Sequence, residues 1–327
     1  MIRPGPRNGL GDVAGLLVGN AEDVGARTGV TVVLADPPAL AAVDVRGGAP
    51  GTVNTDALRL GGLISRVDGV VLSGGSVFGL EAVAGLIDWL AERGRGFSEW
   101  GPCLPIVTGA ILFDLLNGGD KAWGGNAPYR ALAGTAADRA ARDVASGNVG
   151  AGLGAVAGGL KGGLGTASAF DAATGMTVAA LVAVNSVGSV TMPGSRTMWA
   201  WHLEQADELG GQEPPQASTG HAFETKRGIG MNTTIGVVAT DAALDHGGVQ
   251  RLAAMAQAGY AYAIRPIHTP YDGDTMFALA TNAVPLPDKP DLLLRLGTIA
   301  ADVVARAVMR GVYEARSLGD IKGYAET

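Results

Sequence analysis

The sequence predicts an α+β protein built as a layered sandwich. Apolar strand segments and long helices follow one another in blocks, without the regular strand–helix alternation of a doubly wound parallel sheet. Glycine accounts for 52 of the 327 residues and proline for only 16, which suits elements whose backbones pack closely together. Residues 292–314 carry apolar side chains at helical spacing and predict a long helix with one buried face.

Strands are predicted where apolar and β-branched residues run between turn signals. Residues 28–34 are the first, closed by Asp36-Pro37-Pro38, and residues 39–46 are predicted as its antiparallel partner. Further strands are predicted at 69–72, 105–113, 177–185, 233–240 and 275–281. Helices are predicted at 77–93, 131–146, 248–263 and 292–314, with Ser76 as an N-cap and Gly94 as a stop. Residues 147–165 are a glycine-dense turn region, residues 189–226 a polar irregular connection, and residues 1–327 one domain.

Composition excludes several classes of function. The net charge of −7 and the lack of a basic cluster argue against nucleic acid and anionic membrane surfaces as partners. No apolar run has the length of a membrane span. The single cysteine, Cys103, rules out an internal disulfide framework and a cysteine-rich zinc site. The first residues lack the apolar core of a signal peptide, so we expect a cytoplasmic protein.

Neither a cofactor nor a metal is expected. Residues 152–157 match a G-x-G-x-x-A dinucleotide pattern, but a helix-like stretch precedes them and no good helix follows. The four histidines lack metal-ligand spacing, and no G-x-S-x-G elbow is present to hold a catalytic serine; the histidines are His202, His221, His246 and His268.

A threonine stands at the mouth of an apolar strand. In residues 230–240, Asn232 and Thr233 precede a run of mostly apolar residues. The pattern alone is typical of a β-turn leading into a strand. A threonine hydroxyl becomes a useful nucleophile only beside a base, and cleavage just before the threonine supplies one. The freed α-amine, with a pKa of about 8, can accept the hydroxyl proton. The Asn232–Thr233 bond is therefore a candidate site for an N→O acyl shift.

Two carboxylates, Asp272 and Asp274, flank a glycine just before another strand. Such a segment is often only a turn, and a calcium loop needs a longer series of ligands. A pair of acids can instead share a proton or orient an ammonium group.

Five segments in order resemble one family over most of the chain: 43–48, 72–82, 161–168, 232–235 and 272–275. The family is that of the self-processing N-terminal-nucleophile hydrolases typified by L-aminopeptidase/D-esterase-amidase, β-peptidyl aminopeptidases and 6-aminohexanoate-oligomer hydrolase. The resemblance implies cleavage between Asn232 and Thr233, which would give an α chain of residues 1–232 and a β chain of residues 233–327. It also implies a four-layer αββα sandwich and an oligomer, commonly a tetramer of αβ units.

The same resemblance assigns roles to individual residues. Thr233 would be the nucleophile and its own α-amine the base. Asn185 would stabilise the oxyanion, and Lys161 would favour the neutral amine through its positive charge. Asp272 and Asp274 would orient the hydroxyl and the amine of the threonine.

The sequence also departs from part of the family. The threonine and the Asp-Gly-Asp segment place it nearer the nylon-oligomer branch or the many uncharacterised members with a threonine, because β-peptidyl aminopeptidases have a serine nucleophile and a Ser/Glu pair. Phe113 stands where some members carry a tyrosine near the active site, so the phenolic donor of those members is absent.

The predicted function is amide hydrolysis through an acyl-Thr233 intermediate. The substrates implied are short peptides, amino-acid amides or ω-amino-acid oligomers of the nylon type. Three alternatives remain open: an aminopeptidase specific for N-terminal residues, an acyltransferase of the ornithine-acetyltransferase kind, and an uncleaved binding protein without enzymatic activity.

Overall fold

The structure is a computed structural model, and it describes residues 1–99, 101–215, 232–286 and 291–327. The strands in these residues are β1 (Ile2–Arg3), β2 (Leu16–Asp23), β3 (Thr28–Val45), β4 (Thr52–Val53), β5 (Arg66–Ser73), β6 (Val107–Ile111), β7 (Val156–Ala157), β8 (Leu160–Lys161), β9 (Gly163–Asp171), β10 (Met176–Asn185), β11 (Thr233–Ala242) and β12 (Thr275–Val284). The α-helices are α1 (Glu81–Glu92), α2 (Tyr129–Asp138), α3 (His246–Ala263) and α4 (Leu292–Tyr313). Part of the predicted polar connection, including His221, lies outside the described residues.

Strand β3 belongs to two sheet layers at once. Its first half pairs with β2 and β5, and its second half pairs with β12. The register with β5 shifts between Leu34 and Ala39, around the two prolines that interrupt the run. The prediction that residues 39–46 turn back on residues 28–34 is therefore wrong. Proline lacks a backbone donor but can sit at an irregularity, so here the strand continues through the prolines while its register with β5 shifts.

The hydrogen-bonded strand order is β1-β9-β10-β11-β12-β3-β5-β6-β4, with β2 also on β3. Two neighbouring pairs are parallel, β11 with β12 and β5 with β6. Each of these pairs is joined through a helix, α3 and α1 respectively. The other neighbouring pairs are antiparallel, so the topology is mixed and confirms an α+β class.

Within the described part of the chain, three separate apolar cores define four layers. One core lies between α1/α2 and the layer of β3 and β5, and includes Val32 and Leu86. A second joins the two sheet layers through residues such as Val33 and Leu181. The third lies between β9–β12 and α3/α4, and includes Val182. Because successive strand residues point to opposite faces, Leu181 and Val182 enter different cores. The order helix, sheet, sheet, helix confirms the expected αββα sandwich.

Tertiary contacts shorten one predicted helix. Residues 131–146 have helical composition, yet α2 ends at Asp138. Beyond it, the backbone of Ala141 exchanges both hydrogen bonds with Val18 of β2. A pairing with a sheet edge outweighs the few tenths of a kcal/mol per residue that helix propensity provides.

The helix predicted at 77–93 also begins differently. Residues Ser76–Leu80 form a 3-10 turn, and α1 starts at Glu81. The N-cap position of the turn is held by Gly75, with a φ of +84°, so the predicted N-cap Ser76 lies one residue inside the turn.

Glycines bring α4 against β9 backbone to backbone. A Cβ on Gly165 would lie 2.0 Å from the carbonyl oxygen of Ala307, and one on Gly163 would lie 2.2 Å from that of Gly311. The sequence suggested a turn region as far as residue 165, but β9 begins at Gly163. Glycine here permits close packing of a strand on a helix.

Arg295 of α4 fixes the end of β9 by pairing with Asp171 through two hydrogen bonds, one of them 2.8 Å long. The hydrogen bond from this guanidinium holds the pKa of Asp171 well below its ordinary value of 3.8. A lowered folded-state pKa contributes stability above the unfolded pKa and loses it as the pH falls.

The variant Arg295→Met is therefore expected to melt a few degrees below the native protein at pH 7, a modest effect because the arginine is partly solvent-exposed. The difference should shrink as the pH falls below 3.8. Melting curves of both proteins between pH 7 and pH 2 measure this, because the contribution is lost progressively from pH 3.8 down towards the lowered pKa of Asp171. A deficit that stays constant over the whole range would contradict the ion-pair explanation.

Candidate functional site

The candidate site lies where four chain segments meet at one end of the space between the sheets. Thr233 opens β11 and pairs in register with Asn185, the last residue of β10. The residue before it, Asn232, bridges to Asp272 just ahead of β12. Ile235 and Ala183, two residues further into each strand, lie in the core between the sheets. Because strand side chains alternate, Thr233 and Asn185 face that same space.

The carbonyl of Asn232 is held on two sides. The backbone N–H of Gly273 donates to it at 3.1 Å, and the hydroxyl of Thr233 donates to the same oxygen. A Cβ on Gly273 would lie 2.7 Å from Thr233 Oγ1 and 2.8 Å from the carbonyl oxygen of Ala49. Only glycine fits at position 273 while the threonine keeps this place. Thr233 itself is 3% exposed.

The side chain of Asn185 is fixed by two backbone groups. Its Oδ1 accepts from the N–H of Val156 at 2.9 Å, and its Nδ2 donates to the carbonyl oxygen of Phe113 at 3.0 Å. The acceptor and donor at these positions assign the orientation of the amide. The two backbone contacts therefore hold the amide of Asn185 in one orientation.

Lys161 is fully buried in the β7–β8 hairpin. Its Nζ donates to the carbonyl oxygens of Gly152 and Gly162, at 2.9 and 2.6 Å. It pairs in register with Val156, the residue whose N–H binds Asn185. Lys161 and the amide of Asn185 therefore have Val156 as a common neighbour. A buried ammonium with carbonyl partners brings positive charge into a region of low dielectric constant.

The two carboxylates are both inaccessible to solvent, and the structure brings them beside the threonine segment. Asp272 Oδ1 accepts from the N–H of Val187 at 3.2 Å, and its Oδ2 accepts from the N–H and the hydroxyl of Thr269. Asp274 Oδ1 accepts from the N–H of Thr234 at 2.8 Å. Burial raises the pKa of Asp272, and the nearby charge of Asp274 raises it further.

In the uncleaved chain Thr233 has a peptide nitrogen and no free α-amine, so the implied role of the two acids in orienting its hydroxyl and amine stays a prediction. The carboxylate of Asp274 accepts from the N–H of Thr234, the next one along the chain. The side chains of the residues on both sides of Gly273 are thus anchored by hydrogen bonds, and the N–H of Gly273 itself donates to the carbonyl oxygen of Asn232.

Asp114 is a contributor that the sequence did not single out. This buried carboxylate follows Phe113 and accepts from the N–H of Gly75 at 2.8 Å and the hydroxyl of Thr28 at 2.6 Å. Burial raises its pKa. Asp114 thereby holds the Ser73–Ser76 segment next to Phe113, whose carbonyl oxygen accepts from the side chain of Asn185. An aspartate directly after an apolar strand was the available signal.

Two further observations concern residues 1–99, 101–215, 232–286 and 291–327. In those residues, no cluster of three or more His, Cys, Asp or Glu side chains has an arrangement that would hold a metal ion. Likewise, none of the helices described is long and apolar enough to cross a bilayer.

Comparison with known proteins gives a family match over nearly the whole chain. The family model described as peptidase family S58 matches residues 8–325. An uncharacterized aminopeptidase of Mycobacterium leprae is 42% identical over 99% of this chain and 95% of its own. A 6-aminohexanoate-oligomer endohydrolase of Paenarthrobacter ureafaciens is 28% identical over 91% of this chain and 84% of its own.

Solved structures show the same fold. A β-aminopeptidase of Burkholderia sp. superposes with a TM-score of 0.72 at 23% identity, covering 100% of this chain and 94% of that one. The L-aminopeptidase D-Ala-esterase/amidase of Ochrobactrum anthropi, described as a variant of the Ntn hydrolase fold, gives a TM-score of 0.69 at 23% identity, covering 97% and 89%.

Proposed function

The chain belongs to peptidase family S58, and on that basis we propose that it is an autoprocessed amide hydrolase with Thr233 as its nucleophile. The observation that carries the proposal is the geometry at the bond before this threonine. The hydroxyl of Thr233 and the N–H of Gly273 both donate to the carbonyl oxygen of Asn232. A nucleophile on one side and a fixed donor on the oxygen are what an acyl transfer requires.

Self-cleavage proceeds as an N→O acyl shift. Thr233 Oγ1 attacks the carbonyl carbon of Asn232, and negative charge develops on the carbonyl oxygen, where the N–H of Gly273 stabilises it. The C–N bond breaks as its nitrogen takes up the hydroxyl proton, which leaves an ester on Oγ1 and a free α-amine. Water then hydrolyses the ester, which releases the carboxylate of Asn232 and the hydroxyl of Thr233.

Turnover uses the same threonine. Its α-amine accepts the hydroxyl proton while Oγ1 attacks the substrate carbonyl. The amide of Asn185, held by Val156 and Phe113, donates to the resulting oxyanion. The amine product leaves with a proton, and water hydrolyses the acyl-Thr233 ester. The charge on buried Lys161 disfavours a second cation nearby and so favours the neutral amine.

The proposed substrates are short peptides, amino-acid amides and linear ω-amino-acid oligomers. The names of the relatives support this range, since they include aminopeptidases and a 6-aminohexanoate-oligomer endohydrolase. A panel of alanine p-nitroanilide, a β-alanine amide and linear 6-aminohexanoate trimer would distinguish among these classes. Cleavage of blocked substrates, compared with free N-terminal ones, would separate internal from terminal attack.

The mass of the purified protein under denaturing conditions tests the proposal. We expect two chains, of residues 1–232 and 233–327, whose masses add up to the 32.9 kDa of the intact chain plus one water. N-terminal sequencing of the smaller chain should begin at Thr233. A stable single species at 32.9 kDa that hydrolyses no amide would refute the proposal and favour a binding protein.

Replacing Gly273 is expected to block cleavage. In Gly273→Ala the new methyl group would collide with Thr233 Oγ1 and the carbonyl of Ala49, so the hydroxyl must move from the carbonyl of Asn232. We expect cleavage to slow at least about tenfold, since displacements of this size misalign reacting atoms. Gly125→Ala is the matched control, because its Cβ would meet nothing within 4 Å. Equal cleavage rates in the two variants would contradict this role for Gly273.

A further inference from the structure

His268 touches the acid pair, yet the reaction described so far gives it no task. It lies in the loop between α3 and β12, with its side chain 21% exposed. Its backbone N–H donates to Asp274 Oδ2 at 3.0 Å, and its ring Nδ1 lies 2.9 Å from the same oxygen. The main chain and the side chain of His268 therefore both contact the same carboxylate oxygen.

The other oxygen of Asp274 serves the nucleophile segment. Asp274 Oδ1 accepts from the N–H of Thr234, which belongs to the peptide bond directly after Thr233. A carboxylate is an acceptor only, and the main-chain N–H groups of His268 and Thr234 each donate to one of its two oxygens. For Nδ1 to contribute a third hydrogen bond, the imidazole must carry a proton on that nitrogen.

The backbone conformation of His268 allows both of these contacts. Its φ is +56°, in the left-handed region that most residues avoid and that His, Asn and Asp enter more readily. The ring also lies beside the buried Tyr260, with centroids 6.4 Å apart. Tyr260 in turn donates to the carbonyl of Thr275 at 3.3 Å, so the loop and the start of β12 are tied to the same helix.

We propose that His268 is a positioning residue: its Nδ1–H and backbone N–H orient Asp274, which in turn fixes the peptide bond following Thr233. The inference rests on the proposed function, because the alignment matters only if Thr233 is the nucleophile. His268 itself touches neither the hydroxyl nor the scissile carbonyl in its described contacts. Its effect therefore passes through Asp274.

The kinetic test compares His268→Ala with His268→Asn. Asparagine tolerates the left-handed backbone and can place a side-chain N–H near the position of Nδ1, whereas alanine cannot donate. We expect His268→Ala to lower kcat and the rate of self-cleavage about 10- to 100-fold, with KM almost unchanged. His268→Asn should recover most of that loss. His268→Ala acting like the native protein, or both variants equally impaired, would overturn the proposal. Exposed His202→Ala is the matched control and should behave as native.

A spectroscopic test works without any activity. The chain has four histidines, so 15N-histidine labelling gives few signals, and His268→Asn assigns the one from position 268. In the Thr233→Ala background we expect Nδ1 of His268 to be protonated, and the signal to change in Asp274→Asn. A neutral ring protonated only on Nε2 would overturn the proposal. If the native protein neither cleaves itself nor hydrolyses amides, the proposed function fails, while the Nδ1 result still decides the role of His268.

Discussion

Thr233→Ala is expected to remain a single 32.9 kDa chain and to hydrolyse no amide. Under the proposed mechanism, the variant lacks the oxygen that would attack the carbonyl of Asn232, which is also the nucleophile for turnover. Turnover should fall by more than about 10³-fold, as when other enzymes lose the nucleophile. Denaturing mass spectrometry and amide hydrolysis measure the two effects on one preparation.

Two neighbouring variants make this result specific. Thr234→Val keeps the shape of the adjacent residue and removes a buried hydroxyl that has no hydrogen-bond partner among the described residues. It should fold, cleave itself and turn over substrate. Thr233→Ser retains a hydroxyl and should still cleave. Normal cleavage in Thr233→Ala would mean that another residue is the nucleophile. No cleavage in Thr234→Val would mean that the loss in Thr233→Ala is not specific to the hydroxyl of residue 233.

Asp274→Ala is expected to slow self-cleavage and turnover by about 100-fold or more, in the range of other positioned acids and bases. The variant frees the N–H of Thr234 and leaves His268 without its carboxylate. Both losses act on the peptide bonds that surround the nucleophile.

The matched control is Asp120→Ala. That carboxylate is exposed and accepts from the N–H of Ala122, two residues away, so its removal should leave both rates close to native. Melting temperatures of the two variants show whether either has simply unfolded. Equal activities in well-folded Asp274→Ala and Asp120→Ala would contradict a role for the acid pair in cleavage and turnover.

The sequence predicted those elements of the fold that local patterns determine. The strand found at Met176–Asn185 and the helix found at Leu292–Tyr313 match their predictions to within one residue at each end. The failures arose where distant segments decide. β3 continues through two prolines because both halves find partners, and α2 stops early because Ala141 pairs with β2. Neither partner can be read from the local sequence.

The candidate site shows the same division. Local patterns pointed to Thr233 and the two acids, and the family resemblance added Asn185. The fold brings all four residues to one end of the sheets. The partners of these side chains were not predictable. Backbone groups such as the N–H of Val156 have no signature in a sequence, since any residue supplies them. The sequence showed that His268 lacks metal-ligand spacing. That observation could not predict its contact with the carboxylate of Asp274, six residues further along the chain.

The strand order has a consequence for the stability of the cleaved protein. β11 and β12 lie in the middle of the sheet, between β10 and β3, so the two products of cleavage before Thr233 would be interleaved. Neither product then contains a complete core, and unfolding becomes the dissociation of a heterodimer. Its midpoint should rise with protein concentration, unlike that of the intact Thr233→Ala chain. The cut would thus turn a unimolecular folding equilibrium into a bimolecular one.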